Sequence, residues 1–180
     1  MLMSSEKNYK RVTEIILNII IVLLTVIGLV VMAQNHTDSG TGLTAVGFEN
    51  LKFYTVLSNL FRGLVALAYL VVAATGKKTT IDMTLPKLMA ASAVGLTFLT
   101  IAAFLGPIYG HAKLYRGSNL YFHLIVPLVA MAEFVLRRSA RKIPFKYTWL
   151  SAIPTLIYGL CYLINILVNG VGEWPDTNDW

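Results

Sequence analysis

The sequence predicts an all-α integral membrane protein, a polytopic helical bundle of five spans, with a sixth expected if the complete protein runs beyond this chain. Three observations carry that prediction. The composition is 56% hydrophobic and only 13% charged, with a mean hydropathy of +0.66, so charges are too few to solvate the surface of a soluble domain. Five apolar stretches, Val12 to Ala33, Leu51 to Ala74, Leu85 to Leu105, Asn119 to Leu136 and Tyr147 to Val168, are long enough to cross a hydrocarbon layer of roughly 30 Å. The cations are also distributed unevenly. Lys7, Lys10 and Arg11 precede the first stretch, Lys77, Lys78 and Lys87 surround the second turn, and Arg137, Arg138, Arg141, Lys142 and Lys146 fill the fourth. If every stretch spans, all of these share one side, which the positive-inside rule makes cytoplasmic. The net charge of +6 therefore reads as topology and not as a nucleic-acid footprint. Short connectors imply one transmembrane domain over residues 1–180.

The first stretch is too long for the core of a signal peptide, and Glu14, Asn18 and Thr25 repeat on one helical face, so it reads as a retained span. In the second, Thr55, Ser58, Asn59 and Arg62 form a polar stripe opposite Val56, Leu57, Leu60, Phe61 and Leu64. An arginine there costs several kcal/mol unless it faces protein, water or a counter-charge. Glu133 of the fourth stretch lies at suitable depth to be that counter-charge. The third stretch aligns Ala93, Thr97, Thr100 and Phe104, and the fourth Asn119, His123, Pro127, Ala130 and Phe134. The fifth is the most polar, with Ser151, Thr155, Tyr158, Cys161, Tyr162, Asn165 and Asn169 on one stripe. Small and hydroxylated residues at such positions serve helix packing. Gly106, Pro107 and Gly110 predict a turn after the third span, while Pro127 and Pro154 predict kinks. The tail from Gly170 to Trp180 is expected outside.

Counting 1.5 Å per residue places Thr55 and His123 each about 6 Å inside the same ends of their helices, with Asn165 at a similar level. A threonine hydroxyl needs a base to become a nucleophile, and histidine is the usual base near neutral pH. Ester cleavage also needs donors to a developing oxyanion, for which Asn59, Asn119, Asn165 and Tyr162 are candidates. Two other readings stand beside this one. The same side chains can simply hold helices together as a non-catalytic lipid-binding or structural bundle. Alternatively, His36, His111 and His123, with Asp38, Glu49 and Asp176 nearby, can form a hydrolytic zinc centre, although no H-x-x-x-H or H-E-x-x-H spacing occurs. Phosphate-binding glycine motifs are absent, and the single Cys161 excludes an internal disulfide.

The runs Lys52-Phe53-Tyr54-Thr55-Val56-Leu57-Ser58-Asn59, Asn119-Leu120-Tyr121-Phe122-His123-Leu124-Ile125-Val126-Pro127 and Val168-Asn169-Gly170 to Glu173-Trp174-Pro175 resemble the androgen-induced membrane protein family and its bacterial relatives. Eukaryotic members hydrolyse fatty acid esters of hydroxy fatty acids with an intramembrane threonine and histidine. The resemblance implies Thr55 as nucleophile and His123 as base, no metal or other cofactor, a lipid ester substrate, and, on the bacterial side, residence in the inner membrane. Ser58, Asn59, Arg62, Asn119, Tyr158, Tyr162 and Asn165 are then expected to contact substrate, with Arg62 either holding a fatty-acid carboxylate or pairing with an acid. Arg62 departs from the pattern of many relatives, and the family usually continues into a sixth helix after the Trp-Pro region.

Overall fold

A computed structural model describes residues 2–34, 46–75, 82–136 and 143–170. It is helical throughout, with no strand among the described residues. Five helical segments are long and apolar enough to cross a membrane: Tyr9–Ala33, Tyr54–Ala74, Thr84–Tyr109, Ser118–Leu136 and Phe145–Asn169, called spans one to five. They coincide with the predicted stretches to within a few residues. Span two begins later than expected, because Gly47–Lys52 forms a short 3-10 helix that Phe53 separates from the α-helix.

Span one is one continuous α-helix, α1 (Leu2–Ala33), and span two is α2 (Tyr54–Ala74). Span three begins as α3 (Thr84–Leu99), loosens into a π-helical turn at Thr100–Leu105, and ends as α4 (Gly106–Tyr109). Of the three residues expected to mark a turn, Gly106 and Pro107 stay helical and the chain turns at Gly110, which takes φ +89°. A single turn, α5 (His111–Leu114), precedes span four, which runs through α6 (Ser118–Leu120), a second π-helical turn at Tyr121–Ile125, and α7 (Val126–Leu136). Span five starts as a 3-10 helix, Phe145–Ala152, and becomes α8 (Ile153–Asn169) with Pro154 in its first turn, where a missing N–H does no harm.

Spans one to four make the core. Ile21, Ala66, Val94, Val126 and Ala130, at least one from each, meet in a fully buried layer. Close approach depends on small residues. A Cβ added at Gly63 would stand 2.9 Å from Thr25, and one at Gly28 would stand 2.7 Å from the Phe122 ring. Span five lies against spans three and two and contributes no buried residue, so its polar stripe is covered less than expected: Thr155, Tyr158, Tyr162 and Asn165 are only half-buried.

The deepest polar feature is an ionic cluster. Glu133 Oε2 accepts from Arg62 Nη2 at 2.9 Å, and its Oε1 accepts from Lys87 Nζ at 2.6 Å and Asn18 Nδ2 at 2.9 Å. Lys87 also donates to Glu14 at 2.6 Å and lies 3.5 Å from the Tyr69 ring centroid. The expected pairing of Arg62 with Glu133 is therefore present, but Lys87, which counted as a loop cation, is fully buried in the bundle. Two acids and two bases balance, which is how four ionisable groups persist inside an apolar bundle. Removing one member leaves an uncompensated buried charge. Glu133→Ala is expected to destabilise the bundle by about 3–5 kcal/mol, read as reduced resistance to denaturant in micelles, whereas the half-buried Glu14 gives a smaller loss on Glu14→Gln.

Candidate functional site

The site grows from the π-helical turn of span four. Val126 donates its N–H to Tyr121 O, five residues back. In that register the next donor would be residue 127, serving Phe122 O. Position 127 is proline and has no N–H. Asn59 of span two fills the gap, donating through Nδ2 to Phe122 O at 2.8 Å. The other Nδ2 hydrogen goes to Thr55 O at 2.7 Å. One buried amide thus ties the backbone of Thr55 to that of Phe122, the neighbour of His123. Asn59 also departs from its expected role. Both of its amide hydrogens are committed, so it is not available as an oxyanion donor, while its buried Oδ1 accepts no hydrogen bond.

His123 is 7% exposed, and its Nδ1 lies 2.7 Å from Leu114 O. A carbonyl oxygen only accepts, so Nδ1 carries the hydrogen and Nε2 keeps its lone pair. Nε2 makes no hydrogen bond among the described residues. Thr55 is half-buried in the first turn of α2. Thr13, Thr25 and Thr97 donate back to the carbonyl four residues earlier, at 3.0, 2.8 and 3.4 Å. The Thr55 hydroxyl makes no such bond, nor one to His123.

The remaining expected residues divide by what holds them. Ser58 Oγ donates to Thr55 O and shares a hydrogen with Thr97 Oγ1, each at 3.0 Å, so it joins spans two and three from a buried position. Arg62 is fully buried on Glu133, so the structure shows the ion pair and not an open carboxylate anchor. Asn119 is half-buried, and its side chain makes no hydrogen bond among the described residues. Tyr158 donates to Lys52 O at 3.1 Å, packs its ring 5.1 Å from that of Tyr54, and stacks with Tyr162 at 6.4 Å. Tyr54 meets Thr155 Oγ1 at 2.6 Å, joining spans two and five beside Thr55. Asn165, on the same side of span five, accepts from Asn169 at 2.7 Å.

The zinc arrangement is not assembled among the described residues, where no group of three potential ligands occurs. His111 Nε2 lies 3.0 Å from Ala102 O, a backbone partner. His36, Asp38 and Asp176 lie outside the described residues. Comparison with protein-family models, curated proteins and solved structures finds no match.

Sequence reasoning missed the π-helical turns and therefore the purpose of Asn59. A proline inside an apolar span, with an amide side chain at matching depth on a neighbour, was the available signal. Asn59→Leu keeps the volume and removes both bonds. It is expected to cost about 1–3 kcal/mol through the orphaned Phe122 carbonyl, measured by denaturant unfolding in micelles.

Proposed function

We propose that the protein is an intramembrane hydrolase of fatty acyl esters, with Thr55 as nucleophile and His123 as general base. The observation that carries this reading is the His123 Nδ1 bond to Leu114 O, which leaves Nε2 as an acceptor in a neutral ring, together with a Thr55 hydroxyl that makes no hydrogen bond among the described residues, across the Asn59 bridge. The resemblance around Thr55 and His123 adds to it.

In this mechanism a lipid ester enters laterally from the bilayer. Thr55 Oγ attacks the acyl carbon as its proton passes to His123 Nε2. Collapse of the tetrahedral intermediate breaks the ester bond, and His123 returns the proton to the leaving alkoxide. Water then gives a proton to Nε2 and its oxygen to the acyl-threonine, releasing the fatty acid and restoring the hydroxyl. With Asn59 committed elsewhere, Asn119 is the candidate oxyanion donor, and the half-buried tyrosines of span five supply an amphipathic wall for the acyl chain. We place the N-terminus in the cytoplasm and the protein in a bacterial inner membrane. Even with Lys87 withdrawn into the bundle, most cations lie on the N-terminal side.

Turnover of a fluorogenic long-chain acyl ester by purified protein tests the proposal. Thr55→Ala and His123→Ala are each expected to lower kcat by about 10²–10⁴-fold or more, and the double variant by no more than the worse single one, because the two residues act as a unit. Full turnover in either variant contradicts the mechanism. Weakened unfolding resistance in both variants, with no wild-type turnover of any acyl ester, favours a packing role.

A further inference from the structure

The segment between spans three and four contains a second arrangement like that at Asn59. Gly106 donates its N–H to Ile101 O, five residues back, at the end of the π-helical turn of span three. The next donor in that register would be residue 107, serving Ala102 O, and position 107 is again proline. The ring of His111 takes its place, with Nε2 3.0 Å from Ala102 O. Because the carbonyl only accepts, His111 must carry its hydrogen on Nε2. Two glycines make this approach possible. Gly110, at φ +89°, turns the chain back, and Gly106 has no Cβ to collide with the His111 ring.

The helical turn that begins with His111 ends with Leu114, and it is held tightly. Gly110 N–H reaches Gly106 O at 2.9 Å, Leu114 N–H reaches Gly110 O at 3.3 Å, and Tyr115 N–H reaches His111 O at 3.0 Å. Leu114 is 3% exposed, and its carbonyl is the acceptor for His123 Nδ1. One end of a single turn therefore grips span three through a histidine, and the other end orients the histidine of span four.

We propose that His111 is a positioning residue for His123: by capping the proline-terminated turn of span three it fixes the Leu114 carbonyl that holds His123 in its Nδ1–H tautomer. The catalytic half of this proposal rests on the hydrolase reading, whereas the tautomer coupling does not. A neutral histidine side chain without a partner prefers the Nε2–H form, which would turn the basic lone pair away to Nδ1. Loosening His111 should therefore change which nitrogen of His123 is basic while the bundle, whose core lies elsewhere, stays folded.

The test is 15N NMR of histidine-labelled protein in micelles, with the His123 signals identified by their loss in His123→Asn. Wild-type protein should show a protonated Nδ1 and an unprotonated Nε2. In His111→Ala the populations should move toward Nε2–H, and kcat for ester hydrolysis should fall about tenfold or more at unchanged KM. His111→Gln, whose amide can still donate to Ala102 O, should restore the wild-type pattern. Gly106→Ala keeps the ring but displaces it, and should reproduce the His111→Ala spectrum. An unaltered Nδ1–H tautomer in folded His111→Ala and Gly106→Ala proteins overturns the proposal. If wild-type protein hydrolyses no ester yet the tautomer shifts, the hydrolase reading falls and the coupling stands.

Discussion

Glu133 receives hydrogen bonds from three other helices, through Asn18, Arg62 and Lys87, and so unites the four core spans at a single carboxylate. In an apolar surrounding the alternatives are poor, because any helix that drifts away carries a lone charge or an orphaned amide with it. The apolar layer of Ile21, Ala66, Val94, Val126 and Ala130 gives van der Waals contact but little register, since lipid tails solvate such side chains equally well. The ionic cluster supplies the register. It sets the rotation of span two, and hence the direction in which Thr55, Ser58 and Asn59 face.

Given that rotation, the upper half of the bundle follows from two prolines. Each lies two residues beyond a π-helical turn and leaves a backbone carbonyl without its donor, at Phe122 and at Ala102. A carbonyl that loses its donor within an apolar span needs another hydrogen. Asn59 and His111 provide it, and in doing so they tie span two to span four and the short turn His111–Leu114 to span three. The Pro127 defect thus has a structural use, since it creates an acceptor that only a neighbouring helix can satisfy. Wide π-helical turns also swing the following side chains, and His123 sits within one of them.

The architecture was legible because membrane spans announce themselves by length and hydropathy, and helical periodicity separated the inward stripe of span two from its lipid face. The pairing of Arg62 with Glu133 was legible for the same reason: an intramembrane charge needs a partner, and Glu133 is an acid within another span. Lys87 was misplaced because it lies close to the span's end, where a side chain that reaches water and one that turns inward have the same sequence pattern. The role of Asn59 was hidden by the uniform α-helical rise used for depth counting. A π-helical turn changes which carbonyl a proline leaves free, and nothing in the composition of Tyr121–Ile125 signals one. Span five was misjudged in another way, because a polar stripe reveals a preferred direction but not how fully neighbouring helices cover it.

Among the described residues, these constraints leave an imidazole whose Nε2 makes no hydrogen bond and a threonine whose hydroxyl makes none, with the Asn59 amide joining the Thr55 carbonyl to that of Phe122 beside His123. The account depends on Thr55 carrying the acyl group during turnover. Mass spectrometry of the protein after reaction with a lipid-like fluorophosphonate, which mimics the tetrahedral intermediate and is not released, tests this most directly. The account predicts a stoichiometric adduct on the peptide bearing Thr55, lost in Thr55→Ala and strongly slowed in His123→Ala. An adduct on Ser58, Cys161 or a tyrosine that abolishes hydrolysis while Thr55 remains unmodified would contradict it.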